Sequence, residues 1–355
     1  MHVPPYPFYR VAGSPRELGR QHGEQAKDHI LHHLDFMCTS MKSSRSNLQY
    51  RALHFHPLFK KHCPHLLEEI QGLAEGADIT FADALATNIR TALNQKPQDG
   101  CTAFVVSERG TQNSEILIGQ NSDMLPAMIN FGYVLHLKPN DTPQVLMWTF
   151  GGMIGYSGIN DRGVCHFAND LGGGPPPCFG MPHYPLKRLI FEHETLEDIV
   201  PLFKNVPLWA NGNYVLCDGR GHILDIEATT EGPHLMTDEG SGFMVHSNHF
   251  LCSPHATNKN FRQSTTDSFE RLDRMTQLIQ SGFGQLSTDD FKLFLRDRHG
   301  DPSGICRYAQ TTDPTADWVT AGITVASIIA EPSQGQIRVA AGNHAKAPFV
   351  VYKMD

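Results

Sequence analysis

The hydrophobic period of this chain switches at Gly100–Cys101, and the switch limits the available folds more than any other feature. Upstream, apolar residues recur at helical spacing. Ser14-Pro15-Arg16-Glu17 reads as a capping box with proline at the first helical position. Leu18, His22, Ala26, Ile30 and Leu34 then repeat every fourth residue and predict one buried stripe. A second helix is predicted from Pro64 to Glu75, with Leu66, Leu67, Ile70 and Leu73 inward. A third starts at Thr80 and passes Leu85 and Ile89. The polar stretch from Asn94 to Gly100, with Pro97 inside it, reads as an exposed connection.

Downstream the period is two. Thr102–Ser107 and Ile116–Asn121 flank a polar turn and predict a strand and its return. Further strands are predicted at Tyr133–Leu137, Val145–Phe150, Val164–Ala168, Tyr214–Cys217, Ile223–Glu227 and Phe243–His246. Helical segments follow at Leu186–His193, Leu196–Phe203, Ser268–Ile279 (Ser268 as cap) and Thr288–Arg296. Ile323–Ile329 and Ile337–Ala341 close the chain as a hairpin. Strands arrive in runs rather than in β-α-β alternation. The fold class is therefore α+β, with stacked sheets and helices outside. Gly172-Gly-Gly-Pro-Pro-Pro177 lacks phosphate-loop spacing and reads as a shaped loop near a pocket.

Composition narrows the function. With 40% apolar and 19% charged residues the chain is expected to be globular, and 355 residues suffice for a large core. A net charge of −8 with no dense basic run argues against nucleic-acid or anionic-membrane partners. No secretory signal and no membrane-spanning run is apparent, so a cytoplasmic location is expected. In that compartment the cysteines (38, 63, 101, 165, 178, 217, 252 and 306), which form no C-x-x-C pair, are expected as thiols.

Composition alone makes Cys101 a buried, inert thiol at a strand start, as most free cysteines are, but its local setting singles it out. It stands where helices give way to strands, and Gly100 leaves the preceding carbonyl open to attack. A thiol placed there can shift the Gly100 acyl group from nitrogen to sulfur, and water can then cleave the thioester. The product begins at Cys101, and its free α-amine, with an ordinary pKa of ~7.7–8, can serve as base to the adjacent sulfur.

Asp99-Gly-Cys-Thr102 and Gly119-Gln-Asn-Ser-Asp123 resemble the processing and active-site region of the acyl-coenzyme A:6-aminopenicillanic acid acyltransferase family, which are N-terminal nucleophile hydrolases. Ser14–Gly23, Glu69–Ala77, Asn88–Arg90, Gly152–Asn160, His246-Ser-Asn-His249, Ser303–Arg307 and Ala341-Gly-Asn343 follow in the family's order. The resemblance implies a four-layer αββα sandwich. It also implies a helical propeptide segment, 1–100, and a catalytic segment, 101–355, that remain one globular unit as an associated heterodimer after cleavage. Cys101 would be both processing and catalytic nucleophile, with Gly100 on the other side of the cut bond. Asp123 would hold or orient the new amine, Asn248 would donate to the oxyanion, and Arg307 would favour the thiolate or pair with Asp123. The implied activity is amide hydrolysis or N-acyl transfer on a small-molecule amide or thioester. No cofactor is implied, and acyl-coenzyme A would enter only as substrate. Asp225-Ile-Glu-Ala-Thr229 departs from the family's Glu-Phe-Ser stretch, so the resemblance carries the chemistry and not a penicillin substrate.

Two other readings are open. One is an unprocessed, non-catalytic binding scaffold. The other is a metal hydrolase built on His54, His56, His62 and Cys63, although these lack H-E-x-x-H or paired zinc spacing.

Overall fold

The structure is a computed structural model that describes residues 3–94, 100–252, 254–257, 266–313, 316–343 and 347–355. Positions 95–99 of the expected connection, Asp99 among them, lie outside the described residues. Strand β1 (Phe8–Gly13), which the sequence pattern does not announce, precedes α1 (Pro15–Gln25) and α2 (Lys27–Ser40). The Glu17 carboxylate accepts the Ser14 N–H at 2.8 Å, as the capping box requires. The Leu18–Leu34 stripe is carried by two helices, broken at Ala26, yet all five residues are buried. The chain continues through α3 (Arg45–Leu53), α4 (His56–His62), α5 (Pro64–Ala77), α6 (Phe81–Asn88) and α7 (Arg90–Leu93). Leu67, expected inward, is only partly buried at the edge of α5.

Helices α1 and α5 cross backbone to backbone. A Cβ on Gly19 would lie 1.8 Å from Glu69 O, and one on Gly72 would lie 2.0 Å from Arg16 O. Only glycine fits such an approach.

The strands after α7 are β2 (Gly100–Val106), β3 (Leu117–Met124), β4 (Gly132–Pro139), β5 (Val145–Phe150), β6 (Ser157–Asn160), β7 (Cys165–Asp170), β8 (Gly212–Cys217), β9 (Ile223–Thr229), β10 (Gly232–Met236) and β11 (Phe243–His246). Helices α8 (His183–Ile190) and α9 (Leu196–Asn205) lie between β7 and β8. Then come α10 (Thr266–Gly282), α11 (Thr288–Phe294), α12 (Trp318–Ala321), β12 (Ile323–Glu331), β13 (Gln336–Ala341) and β14 (Val350–Lys353). Ser268, expected as a cap, is inside α10.

Among the described residues the strands form two sheets. One has the order β1-β4-β5-β6-β7-β8-β9-β10 and the other β11-β2-β3-β12-β13-β14. All pairings are antiparallel except β1 with β4. Three apolar seams stack in order. The first joins α1–α9 to the outer face of the large sheet, through residues such as Leu18, Leu73, Leu135 and Leu216. The second fills the space between the sheets, with Val105, Ile118, Trp148 and Ile328. The third packs Met275, Ile279 and Phe291 of α10 and α11 on Phe104 and Val106 of the small sheet. Along β2, Ala103 and Val105 enter the second seam while Phe104 and Val106 enter the third, the period-two alternation of a strand buried on both faces. The architecture is the four-layer αββα sandwich.

Candidate active site

Cys101 is the second residue of β2 and is buried. The antiparallel register sets Cys101 across from Ser122 and Gly100 across from Asp123. Gly100 is enclosed: a Cβ built there would lie 2.6 Å from Cη2 of Trp318. The alternation that sends Ala103 between the sheets gives Cys101 the same side, and turns Thr102 toward α10.

Two side chains hold the backbone of Cys101. Its N–H donates to Asn248 Oδ1 at 3.1 Å, and its carbonyl accepts from Nη1 of Arg271 at 2.5 Å. Arg271 is 2% exposed and also donates to Thr102 Oγ1 at 2.9 Å and to Asn248 Oδ1 at 2.8 Å. Two donors therefore converge on Asn248 Oδ1, while Asn248 Nδ2 donates to the Asp170 carbonyl at 3.0 Å. This network turns the amide oxygen toward the Cys101 nitrogen. A primary amide has two N–H groups, so a donor role for Asn248 at an oxyanion would use the second.

Asp123 is fully buried. Its Oδ1 accepts from Thr324 Oγ1 at 2.7 Å, and its Oδ2 has no hydrogen-bond partner among the described residues. Burial raises its pKa to about 6, against the opposing charges of Arg271 and Arg307. Arg307, which the sequence leaves as either a surface or a site residue, is 3% exposed. Its guanidinium meets Asp267 Oδ2 at 3.2 Å and the Val319 carbonyl at 2.7 Å, and stacks 4.7 Å from the Trp318 ring centroid. Its ion pair is thus with Asp267 rather than Asp123. The Arg307 link to Asp123 runs through Thr324, whose hydroxyl accepts the Arg307 N–H at 2.9 Å and so points its own hydrogen at the carboxylate.

The model of the acyl-coenzyme A:6-aminopenicillanic acid acyl-transferase family matches residues 109–346. The chain belongs to this family. The match spans Asp123, Asn248 and Arg307 and begins after Cys101. A relative from Emericella nidulans, the acyl-coenzyme A:6-aminopenicillanic-acid-acyltransferase 40 kDa form, is 27% identical over 304 residues, which is 83% of each chain. Among solved structures, penicillin V acylase from Agrobacterium tumefaciens aligns with a TM-score of 0.48 at 12% identity, over 71% of this chain and 84% of that one. A mutant of the conjugated bile acid hydrolase from Clostridium perfringens aligns at 0.46 and 12%, over 72% and 97%.

Arg271 is the site residue that the sequence reading misses. Its signal was the spacing: Ser268 and Arg271 lie three residues apart on α10 and share a face. Ser268 Oγ accepts the Asn248 N–H at 2.9 Å, so one face of α10 holds Asn248 at both backbone and side chain. The Gly172–Pro177 loop also reaches the site, where Gly172 N–H donates to the Asn248 carbonyl at 3.3 Å. Thr229, which ends the stretch that departs from the family pattern, uses its hydroxyl on Gly232 O in the β9–β10 turn.

Of the residues of the metal reading, His62 Nε2 is buried without a hydrogen-bond partner among the described residues, but the four do not converge on one point, and the other three are otherwise engaged. His54 Nδ1 is 2.9 Å from Tyr50 O, His56 stands edge-on to Phe81, and Cys63 is buried with its pKa pushed up to about 12 by burial and by Glu192. Glu197, Asp218 and His222 do come close together. However, Asp218 Oδ1 accepts from Arg220 N and His222 N, and Oδ2 from Leu196 N, at 3.0, 3.1 and 3.2 Å. Its oxygens tie off a turn and the open end of α9, which is a structural use.

Proposed function

We propose that this chain is an autoprocessing cysteine N-terminal nucleophile enzyme that hydrolyses amides or transfers acyl groups. The observation that carries the reading is the pair of restraints on Cys101: its nitrogen on Asn248 Oδ1 and its carbonyl on Arg271. A packing thiol needs neither. A residue whose nitrogen must become a working amine needs both.

In processing, Cys101 Sγ adds to the Gly100 carbonyl carbon. The C–N bond breaks as nitrogen takes the thiol proton, leaving a thioester and a free amine. Water then cleaves the thioester to the Gly100 carboxylate and the thiol. In turnover the amine takes the thiol proton while sulfur attacks the substrate acyl carbon, and returns the proton to the leaving group. Water resolves the acyl-enzyme to an acid, whereas an amine resolves it to a new amide. Asn248 Oδ1 orients the amine, its second N–H is available to the oxyanion, and Arg271 and Arg307 supply positive charge around Asp123.

Residues 1–100 and 101–355 would stay together after cleavage, because the seam beneath the large sheet takes side chains from both. The names of the family and of the relative support an acyl thioester or amide as donor; acyl-coenzyme A would then be a substrate rather than a cofactor. No helix of the described residues is long and apolar enough to cross a membrane. Cytoplasmic location remains part of this proposal.

Intact mass tests it. Wild type should give two fragments that meet between Gly100 and Cys101, and Cys101→Ala a single chain. A turnover-competent wild type that is uncut, or an active Cys101→Ala, would refute the reading.

A further inference from the structure

The scheme above leaves two parts of the sequence pattern unused: the acids of β9, Asp225 and Glu227, and the histidine that closes β11, His246. Glu227 belongs to the large sheet and His246 to the edge of the small one, and both are fully buried. Glu227 Oε1 accepts from His246 Nε2 at 3.2 Å, from Cys252 N at 3.4 Å and from Leu251 N; Cys252 Sγ lies 3.5 Å from Oε2. One carboxylate thus grips the chain two residues before Asn248 and again three and four residues after it. The opposite side of this loop rests on α10, where Ser247 Oγ donates to Ser268 O at 2.8 Å and Ser268 Oγ receives Asn248 N–H.

The protonation of His246 follows from its partners. Its Nδ1 is 2.9 Å from the Ser247 carbonyl and its Nε2 faces a carboxylate. Both partners accept, and a neutral imidazole carries a single N–H, so both bonds form only in the imidazolium. Burial opposes the charge, but Asp225, the Glu227 hydrogen bond and the Ser247 carbonyl outweigh it and hold the His246 pKa above its ordinary value. Asp225 bonds Asn213 Nδ2 at 3.0 Å and none of the loop's groups. The titratable groups facing His246 are Asp225 and Glu227 from β9; the Cys252 thiol of the loop meets Glu227 instead, and partial burial and that carboxylate keep it protonated. The charges of α10 nearest the loop, Asp267 and Arg271, engage Arg307 and Asn248 instead.

We propose that Glu227 and His246 are positioning residues for Asn248: their buried ion pair clamps the 247–252 loop across the two sheets and so keeps the Asn248 oxygen on the Cys101 nitrogen. The proposal rests on Cys101 being the nucleophile only for its effect on turnover. Loss of the His246 charge as pH rises removes one of its two N–H donors and the charge of the ion pair, so turnover acquires an alkaline limb set by His246. Glu227→Gln keeps an oxygen acceptor but not the charge.

The experiment uses processed wild type, Glu227→Gln and Asp225→Asn with p-nitrophenyl butyrate, following p-nitrophenolate release against pH and locating the butyryl adduct by mass. The nitrogen shifts of the His246 ring are recorded on each protein and on Cys101→Ala. Expected are a kcat at least about tenfold lower in Glu227→Gln with KM little changed. In Asp225→Asn the alkaline limb should move down by about 1–3 pH units, because one facing counter-charge is gone. His246 in wild type should be doubly protonated at neutral pH. A wild-type kcat in Glu227→Gln, an unmoved limb in Asp225→Asn, or a singly protonated His246 would each overturn the proposal. Should Glu227→Gln fail to fold, the limb and the ring shifts decide. Absence of a butyryl adduct on wild-type Cys101 would instead remove the nucleophile reading, and the ring shifts in Cys101→Ala would still test the ion pair.

Discussion

Replacing Arg271 separates the charge at the site from its geometry. The buried guanidinium makes three donations at once, to Cys101 O, Thr102 Oγ1 and Asn248 Oδ1. It also stands 3.5 Å from Asp267. Lysine keeps the charge but is a compact point donor without the planar fork, so it loses at least one of these contacts. A hydrogen bond from a charged group contributes about 1.5–3 kcal/mol. If that amount is lost where Cys101 and Asn248 must stay aligned, cleavage after Gly100 slows by about 10–150-fold. Arg271→Gln loses the charge too and leaves Asp267 with Arg307 alone, so it should be slower still. The assay is intact mass against time on freshly synthesised precursor, with a thermal melt of each variant to confirm folding. A Lys variant that cleaves at the wild-type rate would refute the positioning argument. A Gln variant no slower than Lys would refute the charge.

Two further outcomes are expected. Gly100→Ala brings a methyl to 2.6 Å from the Trp318 ring, so the Gly100–Cys101 bond must shift; the proposed processing should slow by up to about 100-fold and recover in Gly100→Ala with Trp318→Leu, as read by intact mass. Asp123 has a folded pKa of about 6 against an ordinary 3.8, so its ionised form costs stability that is absent below pH 3.8 and complete above about 6. Asp123→Asn should therefore gain stability relative to wild type by about 3 kcal/mol between those limits, measured by urea denaturation at pH 4 and pH 7, while its processing is lost; a pH-independent difference would contradict the burial argument.

The strands and the α+β class were readable because their signals are local, whereas the four-layer arrangement came from the family resemblance. Phe104 and Val106 alternate with Ala103 and Val105, and Val145–Phe150 and Phe243–His246 fall on strands β5 and β11 with the predicted ends. Strand β1 escaped because Phe8–Gly13 is held by its parallel pairing with β4, more than a hundred residues away. The break at Ala26 escaped because a buried stripe constrains which side faces the core, not whether one helix carries it. At the site, the residue types were legible but their partners were not. Arg307 was expected to favour the thiolate or pair with Asp123, yet its guanidinium meets Asp267, and it is Thr324, across the β3–β12 pairing, that touches the carboxylate.

Asn248 is the least legible member of the site. An amide can donate or accept, and sequence spacing carries no sign for that choice. Here the sign comes from three distant partners: Arg271 and the Cys101 N–H demand an oxygen, and the Asp170 carbonyl demands a nitrogen. They arrive from α10, β2 and β7, so both sheets and one outer helix must be assembled before the amide has a direction. Cys101 can therefore gain an oriented nitrogen only in the folded sandwich. If cleavage depends on that orientation, a precursor held partly unfolded in urea should keep its Gly100–Cys101 bond, although its thiol is then freely exposed. Cleavage that proceeds equally in the unfolded chain would mean that the bond is intrinsically labile and that these contacts are incidental.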